Sequence, residues 1–300
     1  MTAKRGKKNI VIKFVIFLLA MTTLSLGQRF EDLALIKGFG LGNALTAENS
    51  VDAMFKNPSA PNSINSSVFQ TNFSSYYDSD IQILSFLYSS KLTESLVLSV
   101  GVPIKKISGI KETVELNGRA HEIGSFQDFH ILGLTALTYS IDALSFGVSA
   151  YINHRTIGDN SGNSFGFDIG FQAEVNNLIL GASIQNINKP SIGWSTGLSE
   201  DVSPIVNGGF NLTLSEKISI LFDGEWELET IESQNFRFNS SVSYLLGPEI
   251  EATLGIRHMF SNRNLRFGLS TDLEPIKLSY VFSNHESLGV IHKIGVSIEY

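Results

Sequence analysis

Apolar and polar residues alternate along most of this chain, and the clearest case is its last ten residues. One face of that segment carries four apolar side chains, Ile294, Val296, Ile298 and Tyr300. A period of two predicts a β-strand with one apolar and one polar face. Two folds explain such a segment equally well: the wall of a transmembrane barrel, whose faces meet lipid and lumen, and the last strand of a soluble β-sandwich.

The same period recurs from residue 66 onwards. We count about 14 candidate strands, an even number, as in bacterial barrels. The clearest predicted strands are residues 144–153, 165–175, 217–228, 236–246, 265–273 and 276–282. A weaker alternation predicts strands at residues 81–88, 129–141 and 178–184.

Short and longer links alternate between these segments. The predicted short links lie at residues 91–93, 141–142, 176–177, 215–216, 247–248 and 274–275. The longer ones lie at residues 108–124, 156–163, 188–204, 229–234, 261–262 and 284–288. Short turns at one end and longer loops at the other are typical of outer-membrane barrels, whereas a sandwich has no reason to sort its links in this way. We therefore predict an all-β fold: a transmembrane antiparallel β-barrel of about 14 strands, at residues 66–300.

The beginning of the chain supports export. Four basic residues between Lys4 and Lys8 precede an apolar run, and Ser25 and Gly27 provide the small residues of a cleavage site. The uncharged part of the run is shorter than the roughly 20 residues that a spanning helix needs, which argues against an uncleaved anchor. We predict that residues 1–27 are a signal peptide and that the mature protein lies in the cell outer membrane.

Charge and composition exclude other classes. Removing residues 1–27 takes away five basic and no acidic residues, so the formal net charge moves from −7 to −12, which argues against nucleic acid as a partner. The chain has no cysteine, and its six histidines are scattered, mostly near predicted strand ends or loops. No G-x-S-x-G or H-E-x-x-H motif is present. We therefore expect no enzymatic activity, no cofactor and no metal site.

The segment before the barrel, residues 28–65, has a different pattern. It lacks the period of two, and residues 47–55 predict a short helix that ends before Pro58. Its glycines do not have the spacing of a dinucleotide-binding loop. We predict a compact plug against the inner barrel wall, with the motif residues Gly40, Gly42, Asn43, Ala44, Asn57 and Pro58.

The plug also carries a family resemblance. Gly-Leu-Gly-Asn-Ala-Leu-Thr-Ala at 40–47 and the stretch at 50–59, which contains Asn-Pro-Ser, resemble the N-terminal signature of FadL-like outer-membrane proteins. The resemblance is strongest to the PorV/PorQ branch found in Bacteroidetes, together with an uncharacterised family grouped with it. Shorter matches lie at residues 180–186, 254–257 and 288–294. Ser59 stands where that family usually has alanine.

The resemblance implies a 14-stranded barrel with an N-terminal hatch. In FadL relatives the hatch gates the passage of hydrophobic ligands. PorV relatives instead serve type IX secretion, where they bind cargo domains or the translocon.

Charged residues opposite the apolar faces are expected to point into the lumen. Acidic residues on the strand that follows Lys217 would lie beside arginines on the next three strands. We expect a ladder of salt bridges that fills the lumen and holds the plug; the alternative is a selectivity ring for a charged solute. The predicted members are Asp168, Asp223, Glu225, Arg237, Arg257, Arg266 and Asp272.

Two functions fit this sequence. The first is an accessory or interaction component of outer-membrane protein export, with loops 108–124 and 187–204 as docking surface and Ile192 and Trp194 as exposed anchors. The alternative is a FadL-like passive transporter of hydrophobic or small solutes, gated by the plug. A charged lumen and short loops favour the first.

The expected partners follow from these two functions. They are outer-membrane lipid, the barrel assembly machinery and secretion-system proteins or exported cargo. The closing strand, with Ile294, Val296, Ile298 and Tyr300, is the predicted signal for assembly into the membrane. We expect it to pair with the first strand, near residues 68–76, so that the sheet has no edge.

Overall fold

The computed structural model describes residues 36–76, 80–116, 119–228, 236–259, 264–285 and 289–300. Fourteen of the strands in this part of the chain form one closed antiparallel β-barrel. None of the helices within the described ranges is long and apolar enough to span a membrane. The predicted signal peptide, residues 1–27, lies outside the described residues.

The strands follow one another around the barrel in chain order. Those of the wall are β1 (Ser67–Tyr76), β2 (Ile81–Thr93), β3 (Leu96–Leu116), β4 (Arg119–Ile141), β5 (Leu144–Ile157), β6 (Asn160–Val175), β7 (Leu178–Gln185), β10 (Ile205–Ser215), β11 (Ile218–Glu227), β12 (Phe236–Leu245), β13 (Ile250–Arg257), β14 (Asn264–Leu273), β15 (Ile276–His285) and β16 (Gly289–Glu299). Two short strands, β8 (Ser191–Trp194) and β9 (Ser199–Asp201), form a hairpin in the link between β7 and β10.

The first and last strands close the ring. Val68 pairs with Glu299 at one end of this seam and Tyr76 with Ile291 at the other. Each wall strand is thus hydrogen-bonded on both sides, so the described wall has no free edge strand. The prediction that the last strand pairs with the first is confirmed. We call the end that carries Tyr300 and the β2–β3, β4–β5 and β6–β7 links the turn end, and the opposite end the loop end.

The alternating pattern places apolar side chains on the outer surface of the wall and polar side chains on its inner surface. On β5, Val148 and Ile152 are 55% and 64% exposed on the outer surface, whereas Ser149 and Asn153 face inward and are buried. The same division holds on β16, where Ile294, Ile298 and Tyr300 are exposed and Lys293 is buried. Val296 is half-buried. A contiguous apolar outer surface of this size is stable in lipid and costly in water.

Two predicted loops are strands in the structure. Residues 108–116 and 119–124 continue the ladder of β3 and β4, which are 21 and 23 residues long. Residues 156–163 contain only a two-residue turn between β5 and β6. Both predictions were wrong because polar residues beyond the apolar band interrupt the hydrophobic pattern without interrupting backbone pairing.

The segment before β1 contains no strand among its described residues. Its described part, residues 36–65, is hereafter the inner segment; it contains one turn of α-helix, α1 (Lys37–Gly40), and two 3₁₀ turns, Asp52–Phe55 and Pro61–Ser63. The helix predicted at residues 47–55 is therefore wrong in type and length. Several backbone N–H groups here bond to side-chain carboxylates instead of to a helical ladder.

Candidate functional site: the inner segment and its wall

The inner segment lies within the barrel. Its residues bond to strands on several sides of the lumen: Thr138 of β4 donates to Pro58 O, Ser183 of β7 donates to Lys56 O, and Asp223 of β11 accepts from the amide of Leu45. Most of its side chains are buried. The inner segment therefore fills much of the lumen at this level.

Three charged side chains anchor the inner segment to β11. Lys56 is fully buried, and its Nζ lies 3.1 Å from Asp223 and 3.2 Å from Glu225. The same Asp223 Oδ2 accepts from the amides of Leu45 and Thr46, at 2.7 and 3.0 Å, and from the Thr46 hydroxyl. Buried charges require such pairing, because their desolvation is otherwise uncompensated.

The predicted motif residues Asn57 and Pro58 form a second anchor. The Asn57 amide donates to Thr46 O at 2.6 Å and to Phe171 O of β6 at 3.2 Å. Its Oδ1 accepts from both the amide and the hydroxyl of Ser59. One asparagine thus joins three parts of the site, and Ser59 completes its hydrogen bonds.

The glycine-rich part of the motif packs against β13 and β14. Arg266 donates to Asn43 Oδ1 at 2.9 Å, and its guanidinium lies 3.7 Å from the centroid of the Phe39 ring. Gly42 has φ of 64°, a left-handed conformation that favours glycine, and Ala44 is fully buried in the apolar core. The Gly40 backbone is close enough to β13 that an added Cβ would lie 2.9 Å from the Thr253 hydroxyl.

Inward-facing glycines on the wall were not singled out from the sequence. A Cβ on Gly170 would lie 1.9 Å from Asn57 Oδ1, and one on Gly147 would lie 2.1 Å from the Pro58 carbonyl carbon. Gly101, Gly181, Gly255 and Gly295 stand equally close to the inner segment. The sequence did contain a signal for them: glycine occupies several positions on the polar face of the alternating strands. Glycine inside a strand often marks a place where another part of the chain approaches closely.

The opposite side of the inner segment is apolar. Met54 and Phe55 belong to a buried cluster with wall residues of β2, β3 and β4, among them Leu87, Val97 and Leu134. The inner segment therefore has two sides. Most polar anchors face β6, β7, β11 and β14, whereas β2 to β4 are contacted mainly by apolar side chains, with Thr138 of β4 as a hydrogen-bond donor to Pro58 O.

The predicted lumen charges do not form a single ladder. Asp168 is buried but accepts from Ser149 and the Asn186 amide, and Arg237 pairs with Glu227 at 3.3 Å. Asp272 is exposed near the turn end, and Arg257 is half-buried. The prediction that arginines of the following strands lie beside the acids of β11 holds for Arg237 and Glu227. For Asp223 and Glu225 it missed Lys56, because the sequence pattern does not place a plug residue beside a strand 167 positions later.

A second buried polar cluster lies nearer the loop end. Arg155 donates to both carboxylate oxygens of Asp128, at 3.0 and 2.8 Å, and Lys105 lies 3.6 Å from the same carboxylate. His130 bonds to Asn153 and is 1% exposed. The sequence places most histidines near predicted strand ends or loops, but His130 is a buried residue of the wall strand β4.

Ile192 and Trp194 are not exposed anchors. They are 1% and 5% exposed and form a cluster with Val202, against which Ile157 packs. Gly162 of β6 leaves the space that they fill, since a Cβ there would lie 2.8 Å from Ile192. The β8–β9 hairpin thus folds onto the barrel and buries the two residues predicted for docking. Their apolar side chains pack against the wall at Gly162 and Ile157 instead of facing solvent.

A cavity of about 230 Å³ separates the inner segment from the seam of the barrel. Its walls come from the inner segment, β1, β15 and β16. Ser63 and Glu299 line it and are exposed, so the cavity reaches solvent at the turn end.

Comparisons with known proteins support the architecture. The model superposes on the CymD monoaromatic hydrocarbon channel with a TM-score of 0.66 at 11% sequence identity, over 89% of this chain and 98% of that one. The Ralstonia pickettii toluene transporter TbuX gives 0.64 at 9% identity (89% and 99%), and a Pseudomonas aeruginosa FadL homologue gives 0.60 at 10% (89% and 98%). No protein-family model and no curated protein sequence matches the chain. At these identities the likeness establishes a FadL-like barrel fold.

Proposed function

We propose that this protein is a passive outer-membrane transporter of small hydrophobic or amphipathic solutes, with the inner segment as its gate. The observation that carries the proposal is the two-sided attachment of the inner segment. Charged and polar contacts fix one side to β11 and its neighbours, while the Met54 and Phe55 side chains pack against apolar residues of β2 to β4, and Thr138 of β4 adds a hydrogen bond to Pro58 O.

This asymmetry suits gating. Apolar contacts have no required geometry, so a small displacement of Met54 and Phe55 opens a route along the apolar wall without breaking the Lys56 anchor. A hydrophobic solute compensates for the contacts that are lost, whereas a polar solute does not. Polar solutes are thus excluded by the same packing.

The fold comparisons favour this function over an export accessory. The similar structures are described as hydrocarbon channels or toluene transporters. Burial of Trp194 also removes the apolar anchor on which the docking hypothesis depended. Assignment to the PorV/PorQ branch stays a hypothesis that rests on the motif residues of the inner segment.

Uptake by intact Gram-negative cells tests the proposal. N-phenyl-1-naphthylamine is excluded by lipopolysaccharide and fluoresces when it reaches phospholipid, so cells that produce the protein should take it up faster than cells with an empty vector.

In liposome swelling, arabinose should stay excluded by the whole protein and enter through a variant that lacks residues 51–61. Heat-modifiable migration shows whether that variant folds. Uptake equal to the empty-vector control would refute transport.

A further inference from the structure

The cavity at the barrel seam adjoins the apolar side of the inner segment. Val51 and Ile64 of the inner segment line the cavity. Both also belong to the buried apolar cluster of Met54 and Phe55. Val68 of β1 lines the cavity from the wall and packs against the same cluster. Three side chains are therefore shared, and the apolar contacts of the proposed gate continue to the edge of the cavity.

Val51 is hydrogen-bonded to the 3₁₀ turn that carries Met54 and Phe55. The turn comprises Asp52–Phe55, and the Met54 amide donates to Val51 O at 3.3 Å. Because a hydrogen bond between residues three apart joins this short turn to Val51, a displacement of Met54 and Phe55 also shifts Val51. The motion that opens a route along β2 to β4 therefore extends that route into the cavity.

The cavity opens at the turn end of the barrel. Its exposed lining residues, Ser63 and Glu299, lie there. On its outer side the wall is continuous, since consecutive pairs join β16 to β1 from Glu299 to Ile291 and to β15 from Ile298 to Gly289. The short turns of outer-membrane barrels face the periplasm. A solute in the cavity is therefore next to periplasmic water, and paired strands separate it from lipid.

The lining of the cavity favours release over retention. Polar wall groups contribute part of it; they are Gln70, Asn72, Ser279 and Ser297. A hydrophobic solute therefore buries less apolar surface here than in the cluster of Met54 and Phe55, and it is held more weakly. A cavity of about 150 Å³ holds benzene, so the volume of about 230 Å³ admits a one-ring solute before the inner segment moves.

We infer that the seam cavity is the outlet of the transport route, with Val51, Ile64 and Val68 at its inner end. A hydrophobic solute leaves through this outlet to the periplasm at the turn end, and not sideways through the wall into lipid. The inference deepens the proposed function and rests on it, because an outlet requires that solute passes through the barrel.

A single introduced cysteine tests the outlet, because the chain has none of its own. Ser297→Cys places a thiol in the cavity. Ser215→Cys is the matched control, because Ser215 is exposed at the last position of β10, at the same end of the barrel. Cells that produce either protein are treated with methanethiosulfonate-ethyltrimethylammonium, which reaches the periplasm through general porins. Uptake of N-phenyl-1-naphthylamine is measured before labelling, after it and after reduction.

Labelling should close the outlet. A fixed cation in the cavity opposes the passage of a hydrophobic solute, so uptake through the Ser297→Cys protein should fall about tenfold and return on reduction. The Ser215→Cys protein should transport throughout. Methyl methanethiosulfonate adds only a small neutral group, and the Ser297→Cys protein should keep most of its uptake after that treatment.

The contrary results separate the outlet from transport itself. Unchanged or faster uptake after complete labelling of Ser297→Cys, confirmed by the mass of the purified protein, overturns the outlet and leaves transport standing. A thiol at position 297 that does not react in the folded protein overturns the outlet as well, and so does equal slowing of the Ser215→Cys protein. Uptake equal to that of empty-vector cells before any labelling refutes transport.

Discussion

At the scale of single residues, the inner segment depends on a few buried polar groups. Lys56 compensates for two carboxylates, and Asn57 satisfies backbone groups on both the inner segment and β6. Each of these side chains is fully buried, so water cannot replace it. The cost of losing one is the desolvation of the groups left behind, which exceeds the worth of a surface contact.

Lys56→Met should release the inner segment. Removing the cation leaves the carboxylates of Asp223 and Glu225 buried with their hydrogen bonds but without the counter-ion Lys56, and we expect a loss of about 3–5 kcal/mol in the free energy that holds the segment. Limited proteolysis in detergent should cleave residues 36–65 sooner in the variant, while the barrel keeps its heat-modifiable migration. Lys106→Met changes an exposed lysine and should leave the cleavage rate unchanged. Equal cleavage of both variants contradicts the anchor.

Asp52 should make the attachment depend on pH. Burial raises the pKa of its carboxyl above the ordinary 3.8, although hydrogen bonds from the Ile36 and Lys37 amides and from Gln70 oppose the rise. A raised pKa favours the folded state below 3.8, and that advantage is lost as pH rises through the folded value. Attachment should therefore strengthen on acidification through this window.

The isosteric variant isolates this effect. Asp52→Asn should flatten that part of the pH profile, measured as hydrogen exchange of the inner-segment amides between pH 3.5 and pH 7 corrected for intrinsic rates. Identical profiles for the two proteins would show that Asp52 does not contribute.

At the scale of elements, the alternating pattern of each wall strand serves both the lipid-facing surface and the contact with the inner segment. Their outer positions form the apolar surface, and their inner positions alternate polar side chains with glycines that admit the inner segment. The outer face was predictable from the sequence because successive side chains of a strand point to opposite faces, so the apolar positions recur every second residue. The pairing of inner glycines with residues of the inner segment was not predictable, because partners such as Gly170 and Asn57 are far apart in the chain.

Gly170→Ala should displace the inner segment. Its new Cβ would overlap Asn57 Oδ1, and we expect a loss of about 1–3 kcal/mol in the stability of the attachment. Gly133→Ala, on β4, meets no atom within 4 Å and is the matched control. Urea titration followed by proteolysis of the inner segment measures both. A Gly170→Ala protein as stable as the Gly133→Ala protein would contradict the close packing.

The β8–β9 hairpin makes a prediction of its own. The chain has two tryptophans, so Trp226→Phe leaves Trp194 as the only indole fluorophore. Because Trp194 is buried, iodide should quench its emission weakly. In Trp194→Phe, the outward Trp226 should be quenched by brominated lipid. Strong iodide quenching of Trp194 would restore the exposed docking loop that the sequence suggested.

At the scale of the whole molecule, the closure of the barrel and the filling of its lumen depend on different features of the sequence. The strand pattern and link lengths were enough to predict about 14 strands and the pairing of the first with the last. They missed the strands at residues 108–124, where polar composition resembles a loop, and the burial of Trp194, which depends on a hairpin folding back onto β6. Contacts between distant segments decide the interior, and period-two alternation does not encode them.

The central claim is that the inner segment must move for solute to pass. Because the chain has no cysteine, Asn62→Cys and Ser145→Cys, whose native side chains bond at 3.0 Å, can be joined by a short methanethiosulfonate cross-linker in intact cells. A control pair, Ser89→Cys and Ser99→Cys, joins β2 to β3 within the wall.

The measurement is the rate of N-phenyl-1-naphthylamine uptake before cross-linking, after it, and after reduction. We expect uptake to stop when the inner segment is tied to β5 and to return on reduction, while the control pair transports throughout. Uptake that continues unchanged with the inner segment cross-linked would contradict the account.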